Sequence, residues 1–156
     1  MRIKPILLDT QLIVLLVVGL ASKMIIRKHK NLTAFSEDDY ELLILLLGED
    51  PELMLLPNTV SEASNLLRQH RNPERTAILS TFRRLIETHR ERYVTSRRAA
   101  SLPEYERLGV TDSAIIACSS NRARLLTADL DLFLAAQGRG IDAVNFNHRR
   151  EEFGLV

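Results

Sequence analysis

The sequence predicts an α/β fold, three α/β/α layers built around a central parallel sheet of about four to five strands. Short apolar runs alternate with longer segments of helical composition along the chain, the order that right-handed crossovers turn into a parallel sheet. Hydrophobic residues lead directly into Asp9 and Asp129, as suits short buried strands. With 156 residues, 46% of them hydrophobic, the chain can bury one sizeable core, so residues 1–156 read as one domain.

The first strand is Ile3 to Leu8, running straight into a core helix from about Gln11 to Gly19. The apolar stretch that continues to Ile26 resembles a signal peptide or a membrane span, but Asp9, Gln11 and Lys23 interrupt it. A charge at a bilayer centre costs about 3 kcal/mol, so no membrane role is expected. Ser36-Glu-Asp-Asp39 has a capping arrangement and opens a helix to about Leu47. Leu53 to Leu56 is the second strand, with Pro57 at or beyond its end because proline cannot donate to a ladder. Thr59 to Gln69 reads as a helix, and Pro73 suits the first turn of another running to about His89. Tyr93 to Thr95 is a short strand, followed by a short helix opened by Pro103 and ending near Leu108. A helix from about Asp112 to Ser119, a strand at Leu125 to Thr127, a helix from Asp131 to Gln137 stopped by Gly138 and a strand near Ala143 to Asn145 complete the order. The sequence contains no internal repeat, low-complexity segment or Gly-rich phosphate loop.

Charge is balanced overall, 21 Lys and Arg against 20 Asp and Glu, so net charge argues neither for nor against a nucleic-acid partner. Its distribution is uneven. Ser36 to Glu52 holds seven acids and no Lys or Arg, whereas Arg68 to Arg98 holds nine arginines against Glu74, Glu87 and Glu91. The single Cys118 cannot form an internal disulfide, and its Ile-Ile-Ala-Cys context suits a buried helix face, which fits a reducing, cytoplasmic setting. His29, His70, His89 and His148 lack zinc spacing and read as surface or fold residues.

Four acids fall near strand-to-helix switch points or helix starts: Asp9 in Ile6-Leu-Leu-Asp9-Thr10, Glu62 in Thr59-Val-Ser-Glu62-Ala63, Asp112 in Gly109-Val-Thr-Asp112-Ser, and Asp129 in Leu125-Leu-Thr-Ala-Asp129-Leu-Asp131. Carboxylates delivered to one edge of a parallel sheet can converge and hold a hard divalent cation. Each acid also has a plain structural reading. Glu62 stands three after Thr59, the capping-box spacing, and Asp112 and Asp131 could cap helices. Asp9, directly after Ile-Leu-Leu, needs a local partner if it is buried.

The string Gly109-Val-Thr-Asp112-Ser-Ala-Ile-Ile-Ala, followed by Leu125-Leu-Thr-Ala-Asp129-Leu-Asp131-Leu-Phe133, resembles the C-terminal half of PIN-domain ribonucleases, particularly the VapC-type toxins. Leu7-Leu-Asp9-Thr10 and Ser61-Glu62 match that family's first two acidic positions in order, and the resemblance runs from the first strand to the last. It implies a PIN-like domain that hydrolyses RNA with Mg²⁺ or Mn²⁺, with Asp9 and Asp112 as the main metal ligands. Glu62 and Asp129 would be further or water-mediated ligands, Thr127 a supporting hydroxyl and Asp131 a weaker candidate. It also implies a homodimer and an antitoxin protein whose peptide covers the acidic groove. Two features depart from the family pattern: two residues after the first aspartate, where a small polar residue is usual, this chain has Gln11, and the stretch from Gly19 to Glu52 matches no motif of the family.

The arginine-rich stretch reads in two ways. It is either a solvated helix face, with Glu87 pairing Arg83, Arg84 or Arg90, or a basic rim in which Arg83, Arg84, Arg90, Arg97 and Arg98 carry an RNA backbone toward an acidic site that would otherwise repel it. The leading expectation is a metal-dependent ribonuclease, the toxin of a toxin-antitoxin pair. The alternative is a catalytically weak or inactive PIN-like module that binds RNA or a protein, a reading that Gln11 keeps open. A HAD-like phosphatase fails at Asp9-Thr10-Gln11, which lacks a second aspartate two residues on.

Overall fold

A computed structural model of the chain describes residues 3–120 and 122–156. The elements run β1 (Ile6–Leu8), α1 (Thr10–Ala21), α2 (Lys23–Ile26), a 3-10 turn (Lys30–Leu32), α3 (Glu37–Leu47), β2 (Leu53–Leu55), α4 (Pro57–Leu67) and α5 (Glu74–Thr88). They continue with β3 (Arg90–Glu91), α6 (Ser96–Ala100), α7 (Tyr105–Ser119), β4 (Arg124–Thr127), α8 (Leu130–Gly138), β5 (Ala143–Asn145) and α9 (Phe146–Glu152). The strands form one sheet in the order β3-β2-β1-β4-β5, every neighbouring pair parallel. This is the α/β, three-layer, all-parallel architecture that the sequence predicts. Among the described residues, no helix is long and apolar enough to cross a membrane.

Alternation along the strands produces the layers. Leu8, Leu53, Leu55 and Leu126 enter one core with α1, α3, α4 and α5, while Leu7, Met54 and Leu125 enter a second core with α7 and α8. A strand whose two faces both meet helices has no polar side to show, which is why Ile6-Leu-Leu and Leu53-Met-Leu are apolar throughout.

α1 is the central helix of the first layer: every residue from Leu12 to Gly19 is buried, so it shows no amphipathic stripe. Gly19 is required by close approach, because a Cβ there would lie 2.1 Å from the Tyr40 ring. α3 is opened by the expected capping box, Asp39 N donating to Ser36 Oγ at 3.3 Å and Ser36 N to Asp39 Oδ2 at 2.8 Å. The same Asp39 receives Arg150 from α9, Nε to Oδ1 at 2.7 Å, with Arg150 also 5.0 Å above the Phe35 ring. That buried pair fastens the last helix to the first layer.

Several boundaries differ from the sequence reading. Ile3 is exposed and outside β1, which begins at Ile6. The third strand is Arg90–Glu91 and not Tyr93 to Thr95. Pro57 is the first helical residue of α4, so that helix begins two residues earlier than expected. The helices expected before Leu108 and after Asp112 are one element, α7, broken at Gly109, whose φ of 88° needs glycine. α2, α6, α9 and the 3-10 turn were not foreseen. His29 is a buried fold residue stacked on His70 at 5.1 Å, and Cys118 is buried as expected.

Candidate metal centre

The carboxyl ends of β1 and β4 lie side by side because those strands pair, Leu8 opposite Leu126. Asp9 follows β1 at once and serves as N-cap of α1, its Oδ1 accepting from Leu12 N at 3.1 Å. Its Oδ2 accepts from the Thr127 hydroxyl at the end of β4 and from Ala128 N, the latter at 2.9 Å. These donors supply the local partners that a carboxylate buried after Ile-Leu-Leu demands. The Thr127 oxygen in turn accepts from Asp129 N at 2.9 Å, so one fully buried hydroxyl links two acids. Asp129 caps α8 through Oδ1, which accepts from Leu132 N at 3.1 Å.

Glu62 arrives from α4 and is held by two hydroxyls, Thr10 Oγ1 donating to Oε2 at 3.0 Å and Thr111 Oγ1 to Oε1 at 2.7 Å. It does not cap a helix: the cap position of α4 is Leu56, and Thr59 instead donates to the Leu56 carbonyl at 3.1 Å. Asp112 stands within α7, three residues after the Gly109 break. Asp9, Thr10, Gln11, Glu62, Asp112, Ala128 and Asp129 line one open cleft of about 350 Å³. Asp131, in the first turn of α8, is exposed and outside that lining, and it does not cap the helix.

Electrostatics in the cleft follow from this crowding. Burial, then the charges of Asp129, Asp9 and Glu62, raise the Asp112 carboxyl from its ordinary 3.8 to about 7. Asp9 is also raised, by burial above all, although its bonds to Thr127, Leu12 and Ala128 pull the other way. Among the described residues no donor offsets the charge of Asp112, in contrast to the other three acids.

An excess of mutually repelling oxygen donors is the chemistry that a hard divalent cation matches. Among the described residues, no group of three or more His, Cys, Asp and Glu side chains stands ready to hold one ion. Mg²⁺ does not require such a cage: it usually keeps several waters and binds through one or two carboxylates. Asp9, Glu62, Asp112 and Asp129 are the oxygen donors here that could hold a partly hydrated ion of this kind.

The neighbouring hydroxyls Thr10 and Thr111, and the contribution of α9, escaped the sequence reading. Asn147 donates to the Ala128 carbonyl at 2.9 Å and accepts from Arg150 at 2.9 Å, so the buried Asp39–Arg150 pair steadies the loop whose N–H meets Asp9. Each threonine adjoins an acid in sequence, Asp9-Thr10 and Thr111-Asp112, which is the only signal the sequence offers for them.

The five arginines expected on an RNA path separate, and Arg90 lines a cleft with Lys4 and Glu52. Arg83 lines a groove between α4 and α5 with Phe82 and Ile86, while Arg98 lines a different cleft with Arg92 and Arg122. Arg84 and Arg97 line neither. No family model, curated protein or solved structure matches the chain.

Proposed function

We propose that this chain is a metal-dependent endoribonuclease of PIN type, the toxin of a toxin-antitoxin pair, acting on RNA with Mg²⁺ or Mn²⁺. The observation that carries the reading is the meeting of Asp9, Glu62, Asp112 and Asp129, from four separate segments, in one cleft at the carboxyl edge of a parallel sheet. Ligands in open α/β sheets bind at that edge. Asp9 and Asp112 would hold a divalent ion there, with Glu62 and Asp129 direct or through water, and the ion would supply water activation and charge stabilisation for phosphodiester hydrolysis.

The chain's own residues have definable tasks. Thr127 and Ala128 N hold Asp9 in one orientation, and Thr10 and Thr111 do the same for Glu62. Asp112, with a carboxyl raised to about 7, can exchange a proton near neutral pH in the metal-free protein. The resemblance to VapC-type toxins extends the proposal to a homodimer and to an antitoxin protein that covers the cleft.

The test is RNA cleavage by the purified chain with Mg²⁺ or Mn²⁺, with and without EDTA, and with Asp112→Asn. Cleavage that requires the ion and is lost in Asp112→Asn supports the reading; full activity of that variant, or activity in excess EDTA, refutes it. A second reading, a PIN-like module that binds RNA or protein without cutting, is favoured by Gln11, whose exposed side chain lines the cleft where the family carries a smaller residue. Cleavage gained on Gln11→Ser points to a site weakened by crowding, and silence of both forms with every tested ion favours the module.

A further inference from the structure

A second charged surface lies away from the carboxylates. Asp9 and Asp129 follow β1 and β4, whereas Lys4 and Arg122 precede those same strands; Arg90 lies in the edge strand β3 and Arg92 follows it, and none of these four basic residues lines the carboxylate cleft. Two adjoining clefts, of about 450 and about 420 Å³, share Arg92 and Arg122 as common wall. Lys4 and Arg90 line one of them and Arg98, from α6, the other. Glu52 is the single acid in either lining, and it pairs with Arg90 at 3.3 Å. Among the described residues, Arg92, Arg98 and Arg122 have no ion-pair partner.

Unpaired guanidinium groups gathered in one concave place repel each other, and a polyanion relieves that repulsion. An aromatic ring stands among them: Tyr93 is 76% exposed and lines the same cleft as Arg92, Arg98 and Arg122. Side by side, planar cations and a bare aromatic ring match a single-stranded nucleic acid, with phosphates on the arginines and a base stacked on the ring. An acidic peptide would use the charges and leave Tyr93 without a role, and a membrane surface needs a flat or convex face where this one is recessed.

We propose that the cleft of Arg92, Tyr93, Arg98 and Arg122 is a binding site for single-stranded RNA, separate from the carboxylate cleft. The inference does not depend on the nuclease reading; if the chain cuts RNA, this site holds a stretch of the substrate outside the carboxylate cleft.

The experiment measures binding of fluorescently labelled single-stranded RNA of about a dozen nucleotides to the full chain in EDTA, where metal-dependent cleavage is off, over a range of salt. Replacing Arg92, Arg98 and Arg122 together by Gln should weaken binding at least tenfold and flatten the slope of log K against log salt by about 2, at about 0.7 per lost phosphate contact. Tyr93→Ala should weaken binding by roughly fivefold or more, and Tyr93→Phe should restore it, since stacking needs the ring and not the hydroxyl. All these side chains are exposed, and thermal melting verifies that each variant folds.

Wild-type affinity and salt slope in the triple variant overturn the proposal, as does a poly-glutamate peptide that binds as tightly as RNA of equal charge. Loss of binding in Arg83→Gln/Arg84→Gln with none in the triple variant overturns it too and puts RNA on the α4–α5 groove. The two readings fail separately. Absence of cleavage with RNA still bound through Arg92 removes the nuclease alone, and ion-dependent cleavage with an unaffected triple variant removes this site alone.

Discussion

Asp112→Asn should make the metal-free protein more stable above about pH 4, with the full gain reached above about pH 7. The Asp112 carboxyl is raised from 3.8 to about 7 by burial first, then by Asp129, Asp9 and Glu62. For an acid whose folded value is raised, ionisation opposes folding: the penalty is fully present above pH 7, shrinks as pH falls and vanishes below about 4. At 1.36 kcal/mol per pH unit the gap corresponds to about 4 kcal/mol for a fully desolvated charge. Asp112 is half-buried, and solvent screening lowers the expected figure to about 1–2 kcal/mol. Asparagine keeps the size and removes the charge, so at pH 8 in EDTA the variant should melt about 3–6 °C above wild type for a chain of this length. The two proteins should converge near pH 4, where the carboxyl is neutral. Added Mg²⁺ should stabilise wild type more than the variant and narrow the difference at pH 8, because binding to the folded state alone adds stability by mass action. Thermal and urea melts from pH 4 to 9 read all three effects. A variant that is equally or less stable than wild type at pH 8, with no dependence on pH, would refute the view that four carboxylates crowd one cleft.

Three other substitutions address the framework of the site. Thr127→Val is nearly isosteric but leaves Asp9 Oδ2 without its buried hydroxyl donor and Asp129 N without its acceptor; urea melts at pH 8 should show a loss of about 1–3 kcal/mol, and no loss would mean the hydroxyl is replaceable. Asp39→Asn leaves the buried Arg150 guanidinium uncompensated and should cost about 3–5 kcal/mol in the same assay, where a cost below about 1 kcal/mol would show that α9 is held by packing alone. Gly19→Ala forces the Tyr40 ring to move and should cost about 1–3 kcal/mol, with Tyr40→Val relieving the clash in the double variant; additive losses would refute the contact.

Legibility in the sequence tracked burial. β1, β2, β4 and β5 announced themselves because residues such as Leu7, Leu8, Met54 and Leu125 meet helices on both sides of the sheet. β3 had no such signal: Arg90 and Glu91 are both exposed, and the neighbouring Val94, which packs on the second core from beyond the strand, drew the expectation downstream. α9 was hidden for the opposite reason. Its key residue, Arg150, is polar yet buried, and only a partner distant in sequence, Asp39, makes that possible.

The acids show why a choice between helix cap and site is a false one at this edge. Glu62, Asp112 and Asp131, which the sequence offers as caps, do not cap. Asp9 and Asp129, which follow strands, do. In a parallel sheet each strand ends where a helix begins, so an acid at the junction meets the free N–H groups of the first helical turn, and one carboxylate oxygen satisfies them. A carboxylate has a second oxygen. In Asp9 that oxygen reaches across to Thr127 and Ala128 on the neighbouring strand's exit, and this ties the two junctions into one structure. Glu62 closes the arrangement from α4 by accepting from the threonines beside Asp9 and Asp112. Capping thus fixes where Asp9 and Asp129 stand, and burial, together with the charge of the acids adjacent at the carboxyl edge, raises Asp112. The same junction geometry that ends the strands gathers the acids at one edge of the sheet.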